Sequence, residues 1–106
     1  MQERRRYKRL LVDLPVTLRY KGSLIPATAL NVSCGGMCLS TDNPEVNDAN
    51  NVEVIIDLSA AELDISVRGQ IVRVTEGGDK MLGVQFTNLY SLGHQAIEKF
   101  INRRNN

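Results

Sequence analysis

The residues of this chain best suited to chemistry lie in two short runs. The first is Glu3-Arg4-Arg5-Arg6-Tyr7-Lys8-Arg9, where Arg5 and Arg9 are spaced as RxxxR and Arg4 stands directly before them. Guanidinium groups are planar, permanently charged forks that pair bidentately with phosphate oxygens and lie flat on aromatic bases. Several of them on one short arm can enclose a dianionic nucleotide. The second run is Asn31-Val32-Ser33-Cys34-Gly35-Gly36, of the form (D/N)xSxxG. On an extended strand Asn31 and Ser33 share a face, where an amide and a hydroxyl can together bond the edge of a base. The glycines let the chain bend tightly and leave no Cβ in the way of a ligand.

Taken singly, each run has a plainer reading. A basic N-terminus is commonly a solvated tail or a nonspecific nucleic-acid contact, and Asn, Ser and Gly form hairpin corners for local reasons. The charge distribution is a first functional clue. Residues 1–22 hold seven basic side chains against two acidic ones, a balance of +5, whereas the rest holds six against ten, a balance of −4. The formal net charge of +1 therefore hides an anion-binding potential gathered at one end.

Catalysis is hard to assemble from this inventory. His94 is the only histidine, and its place near the start of a helix predicts a surface residue rather than a general base or metal ligand. Ser33 has no base nearby in sequence. Glu62 and Asp64 could pair as general acid and base, but Glu-x-Asp at a strand edge is a common arrangement. Cys34 and Cys38 flank a Gly-Gly turn at a spacing that fits neither a disulfide framework nor a two-pair zinc site, so two buried or half-buried thiols are expected. No enzyme, metal or catalytic residue is expected. The arginine-rich start is not followed by a long apolar run, which points to the cytoplasm.

The elements that must position these residues follow from periodicity. The 106 residues fit one domain, and 42% apolar content without Trp suits a modest core of Val, Leu and Ile. Alternation predicts strands over Val16–Tyr20, Leu24–Ser33, Met37–Thr41, Val52–Leu58, Leu63–Thr75 and Met81–Phe86. Pro26 favours an edge or a strand start, and Gly69 is read as a bulge or bend. Lys21-Gly22-Ser23, Cys34-Gly35-Gly36 and Glu76-Gly77-Gly78-Asp79 are turns, and Asp42–Asn51 is an exposed loop. Ser91 caps a C-terminal helix with Ala96, Ile97, Phe100 and Ile101 on one face and Arg103 and Arg104 at its negative end. About six strands joined by short turns, then one helix, imply an all-β, closed or nearly closed antiparallel barrel. The expected division is a flexible basic arm over 1–12, the barrel over 13–87 and the helix over 88–104.

RxxxR at Arg5 and Arg9, a strand, and (D/N)xSxxG from Asn31 on such a chain resemble the PilZ domain family, over essentially the whole sequence. Gly83-Val84-Gln85-Phe86 is similar to the family's last strand before its C-terminal helix. The resemblance implies a stand-alone, split-barrel receptor for the bacterial second messenger cyclic di-GMP, acting in biofilm or motility regulation. It implies that Arg5 and Arg9, assisted by Arg4, hold phosphates and stack on guanine. Asn31 and Ser33 would bond a guanine, Gly36 would shape the turn, and Arg73 would pack against a base. Asn stands at position 31 where the family more often has Asp, which removes a charge-assisted bond. Arg4 before RxxxR resembles members that take two stacked ligand molecules per chain. Ordering of the arm on ligand binding would then present a new surface to a downstream protein. Two further readings are a PilZ-like interaction module without ligand and a nucleic-acid-binding barrel, the latter short of aromatic platforms with three Tyr and two Phe.

Overall fold

The computed structural model describes residues 9–42, 46, 51–56, 65–75, 80–89 and 91–104. Six strands, β1 (Leu10–Tyr20), β2 (Ser23–Val32), β3 (Gly36–Thr41), β4 (Asn51–Ile56), β5 (Ile65–Thr75) and β6 (Lys80–Phe86), precede one helix, α1 (Leu92–Arg104). The strands pair antiparallel around a closed barrel in the order β1-β2-β3-β6-β5-β4. Pairing of β1 with β4, from Val16 opposite Ile56 to Arg19 opposite Glu53, completes the ring.

Alternation explains the interior. Val16, Leu18 and Tyr20 of β1, Val52, Val54 and Ile56 of β4, and Leu82, Val84 and Phe86 of β6 all point inward and are buried. Ile97, Phe100 and Ile101 bring one face of α1 onto the same core. Each large aliphatic side chain buried in this way contributes about 1.5–3 kcal/mol relative to exposure. The β1–β2 connection is a two-residue loop with positive φ at both Lys21 (50°) and Gly22 (82°), which is the turn that matches the twist of a hairpin.

Both strand prolines sit where a ladder has ended on one side. Pro15 precedes the first β1–β4 pair, and Pro26 precedes the first β2–β3 pair at Thr28 and Ser40. The missing N–H thus costs no sheet bond. The Pro26 carbonyl instead accepts from the Thr41 hydroxyl at 3.1 Å.

Two boundaries differ from expectation. β1 begins at Leu10, inside the stretch read as an arm, because Leu10, Val12 and Leu14 alternate onto the core and Leu10 and Leu11 pair with Val32 and Asn31. The helix begins at Leu92 rather than 88, after the expected Ser91 cap, whose hydroxyl accepts from the His94 amide at 3.0 Å and donates to the Asn88 carbonyl at 3.3 Å. The Glu76–Asp79 turn and most of the Asp42–Asn51 loop lie outside the described residues.

The first turn of α1 rests directly on the barrel wall: a Cβ at Gly93 would overlap the main-chain carbonyl of Ser66 in β5. Gly93→Ala should therefore push the helix off its seat and lower stability by about 1–3 kcal/mol in a denaturant titration, as overpacking does. Asn102→Ala, on the exposed side of the same helix, should stay within about 0.5 kcal/mol.

Candidate functional site

A strand that buries every second residue fixes the direction of all the others, and two of the expected site residues have the wrong parity. Continuing from Ile25, Ala27 and Ala29, position 31 would turn into the core; continuing from Val67 and Ile71, so would position 73. In each strand one extra residue resets the phase. On β2 the register passes from Ala29 opposite Leu39 to Asn31 opposite Cys38, leaving Leu30 unmatched. On β5 it passes from Ile71 opposite Val84 to Arg73 opposite Gly83, leaving Val72 unmatched. Beyond the bulges Val32 and Val74 return inward, and Asn31 and Arg73 face out. The expected bulge at Gly69 is thus found at Val72. Gly69 pairs regularly with Phe86, and glycine stands there because a Cβ would press on the Val84 side chain at 2.7 Å and the Gln85 carbonyl at 2.9 Å.

The two reset residues end up in one row. Asn31 lies opposite Cys38, Cys38 opposite Gly83, and Gly83 opposite Arg73, across β2, β3, β6 and β5. Gly83 leaves the middle of the row open, and the Arg73 side chain lies over it, with its Cβ and Nε 3.4 and 3.5 Å from where a Cβ would stand. Above the row is a cleft of about 540 Å³, lined among others by Arg9, Asn31, Ser33, Gly36, Cys38, Val72 and Arg73. Its size is that of a small-molecule site, and among the described residues its charged side chains are two arginines. Arg9 reaches it because Leu10 pairs with Val32, which carries the residue before β1 to the corner end of β2.

The corner after β2 is held by its own hydrogen bonds. The Ser33 amide donates to the Gly36 carbonyl at 2.8 Å. The Ser33 hydroxyl accepts from the Gly35 and Gly36 amides at 3.2 and 3.3 Å and donates to the Gly36 carbonyl at 3.3 Å. A hydroxyl has one proton to give and two lone pairs, so this arrangement uses all of its capacity. Gly36 is required by proximity, since a Cβ there would overlap the Val84 carbonyl of β6.

The two carbonyls between Ser33 and Gly36 are held from the far end of the chain. The Phe86 amide donates to the Gly35 carbonyl at 2.9 Å, and His94 Nε2 meets the Cys34 carbonyl at 2.5 Å. His94, expected at the surface, is only 4% exposed and stands edge-on to Phe86 with ring centroids 5.8 Å apart. The helix cap and Gly93 bring it there, and neither signals burial in the sequence.

The PilZ domain family model matches residues 3–103. The chain belongs to this family. No curated protein matches the sequence significantly. Among solved structures, the PilZ domain of YcgR from Escherichia coli, determined with c-di-GMP, has a TM-score of 0.82 at 14% identity, covering 95% of this chain and 91% of that one. The Bacillus subtilis inhibitor of motility MotI has a TM-score of 0.78 at 20% identity, covering 97% of this chain and 52% of that one. The PilZ domain of CeSA from a cellulose-synthesizing bacterium has a TM-score of 0.69 at 14% identity, covering 93% and 99%. This PilZ domain therefore spans about half the length of MotI, and likeness at these identities concerns the fold.

Of the expected site residues, Arg9, Asn31, Ser33, Gly36 and Arg73 line one cleft, while Arg4, Arg5 and the carboxylates Glu62 and Asp64 lie outside the described residues. Cys38 was expected only as a buried or half-buried thiol and Gly83 only as part of the last strand, neither as a lining residue, and Val72 was not singled out. Alternation between buried Met37 and Leu39 does turn Cys38 outward, but only the strand order places it between Asn31 and Gly83. Both thiols are free and half-buried, as expected. Among the described residues no cluster of His, Cys, Asp or Glu has the makings of a metal site.

Two predictions follow from this geometry. Deleting Val72 removes the extra residue: Arg73 then follows Ile71 directly, and plain alternation still turns Arg73 outward and Val74 inward. Denaturant titration should keep a cooperative transition with a loss of no more than about 3 kcal/mol, and Val72→Ala, which keeps the bulge, should cost less than about 1 kcal/mol. Separately, burial, and secondarily the Glu98 carboxylate, pushes the Cys34 thiol above its ordinary pKa. The folded state then holds this proton more tightly than the unfolded one. Its contribution to stability is complete below the ordinary thiol range and falls as pH rises through the raised value. Cys34→Ala should flatten the alkaline side of the stability profile.

Proposed function

We propose that this PilZ domain is a cytoplasmic receptor for cyclic di-GMP, which it binds in the cleft bounded by the β2–β3 corner and the outer face of β5–β6. The observation that carries the reading is the convergence of Arg9, Asn31, Ser33 and Arg73, which are far apart in sequence, on that one cleft. The ligand named with the YcgR PilZ domain points the same way.

In this reading each group does what its chemistry suits. Arg9, with Arg5 and Arg4 from the preceding arm, takes the phosphates through charge-assisted bonds. The Asn31 amide bonds a guanine edge, and Ser33 acts mainly by holding the corner, since its hydroxyl is already engaged with the Gly35 and Gly36 backbone. The Arg73 plane, extended over Gly83, offers a surface on which a base stacks. A neutral amide at position 31 gives up the charge-assisted bond that Asp would make, which leaves more of the binding to the arginines. Closure of the arginine arm over the nucleotide presents a new surface to a protein partner, and the arginine at position 4 favours two stacked ligands per chain.

Calorimetry with cyclic di-GMP tests the proposal. Arg9→Ala and Arg5→Ala should each weaken binding roughly 10- to 100-fold, since hydrogen bonds to charged groups contribute about 1.5–3 kcal/mol. Cyclic di-AMP should bind far more weakly at every salt concentration, and the titration gives the stoichiometry. Absence of binding would reduce the chain to an interaction module. Equal binding of both dinucleotides with a steep salt dependence would indicate nonspecific nucleic-acid recognition instead.

A further inference from the structure

The ligand cleft and the C-terminal helix share one element that the proposed binding chemistry does not use. His94 is buried on the first turn of α1, yet its ring reaches the Cys34 carbonyl, in the middle of the corner that carries Asn31, Ser33 and Gly36. A carbonyl oxygen has no proton to give, so Nε2 is the protonated nitrogen and donates. The other ring nitrogen, Nδ1, is buried and makes no hydrogen bond among the described residues, with Glu98 Oε1 3.5 Å away. The ring is thus fixed by one bond, and that bond goes to the ligand corner.

The surroundings make this contact stiff at both ends. On the helix side, Ser91 caps the His94 amide, and Gly93 seats the same turn on the Ser66 main chain. On the corner side, the Ser33 hydroxyl bonds close the turn, and Phe86, whose ring stands against His94, holds the next carbonyl. A change in the corner's position or rigidity therefore has a short path to α1 through His94.

We infer that His94 is a positioning residue that couples occupancy of the nucleotide cleft to the docking of α1, so that the C-terminal helix is an output element of this domain. The inference rests on the cyclic di-GMP reading for the identity of the ligand. Ligand held by Asn31 at the corner immobilises the Cys34 carbonyl, and a fixed acceptor strengthens the hold on the helix. Linkage makes the effect reciprocal: whatever loosens α1 at His94 weakens the ligand. The exposed side of the helix, with Leu92, Gln95, Glu98 and Lys99, then senses the nucleotide without touching it.

Hydrogen exchange of the full chain, with and without cyclic di-GMP, tests this together with calorimetry on His94→Gln and His94→Leu. Glutamine places an N–H close to where imidazole Nε2 stands, and leucine fills space without one. In the wild type, ligand should slow exchange of the α1 amides from Gln95 to Ile101. The Gln variant should keep that response and near wild-type affinity. The Leu variant should lose the response and bind about fivefold more weakly, the worth of roughly one hydrogen bond. Wild-type binding with no change in α1 exchange overturns the coupling even if no variant folds, as does a Leu variant that responds like the wild type. Should the wild type bind no cyclic di-GMP, the receptor reading fails, and the ligand-free samples still decide the link. Exchange of the Gly35 and Gly36 amides should rise in the Leu variant and not in the Gln variant, and equal exchange in both overturns it.

Discussion

In a small closed barrel every strand residue points either into the core or away from it, and the alternation is set by the apolar residues that must be buried. That constraint governs this molecule. Val67 and Ile71 fix the parity of β5, and Ile25, Ala27 and Ala29 that of β2, with each fully buried aliphatic side chain adding to the force that holds the register. A guanidinium and an amide of inward parity have no tolerable place inside such a core. The chain accommodates them with one unmatched residue in each strand, Leu30 and Val72. The candidate site is in this sense a consequence of packing: the two bulges that keep polar groups out of the core also aim them at the same patch of outer surface.

The second dependency runs through the backbone. The Cys34-Gly35-Gly36 corner is stabilised by Ser33 within, but it is located by bonds from Phe86 and His94, residues some fifty or more positions later in the chain. Local turn chemistry therefore makes the corner, and the end of β6 and the start of α1 decide where it sits. The same two residues form an edge-to-face pair, so the end of the barrel, the helix and the glycine corner meet at one small cluster. A domain of this size has few independent parts, and the corner lies close to the core packing of the helix.

Much of this architecture was legible in the residues. Alternation around Val16, Val52, Val67 and Leu82 gave strands, Lys21-Gly22 gave the hairpin turn, and Ser91 with Ile97, Phe100 and Ile101 gave the capped helix, because each depends on neighbours within a few positions. Leu10, Val12 and Leu14 carried the same signal, masked by the charged run before them and by Asp13 and Pro15 between and after them. Gly69 looked like a bulge because glycine relaxes a strand, whereas the strand actually gives way at Val72, an ordinary β-branched residue. A bulge is settled by the registers of the facing strands, and no residue type announces it.

The sequence by itself determined the chemical types: arginines before the first strand, Asn31 and Ser33 at a glycine corner, one apolar face on a terminal helix, and with them the likeness to PilZ domains. Those features are local, so side-chain chemistry and short-range geometry suffice to specify them. Only the tertiary structure decided that Arg73 faces the same way as Asn31, that Cys38 and Gly83 lie between them, and that His94 is buried against the corner. Each of those facts depends on which strands are neighbours and in what register, which is fixed when the whole core closes and by no segment alone.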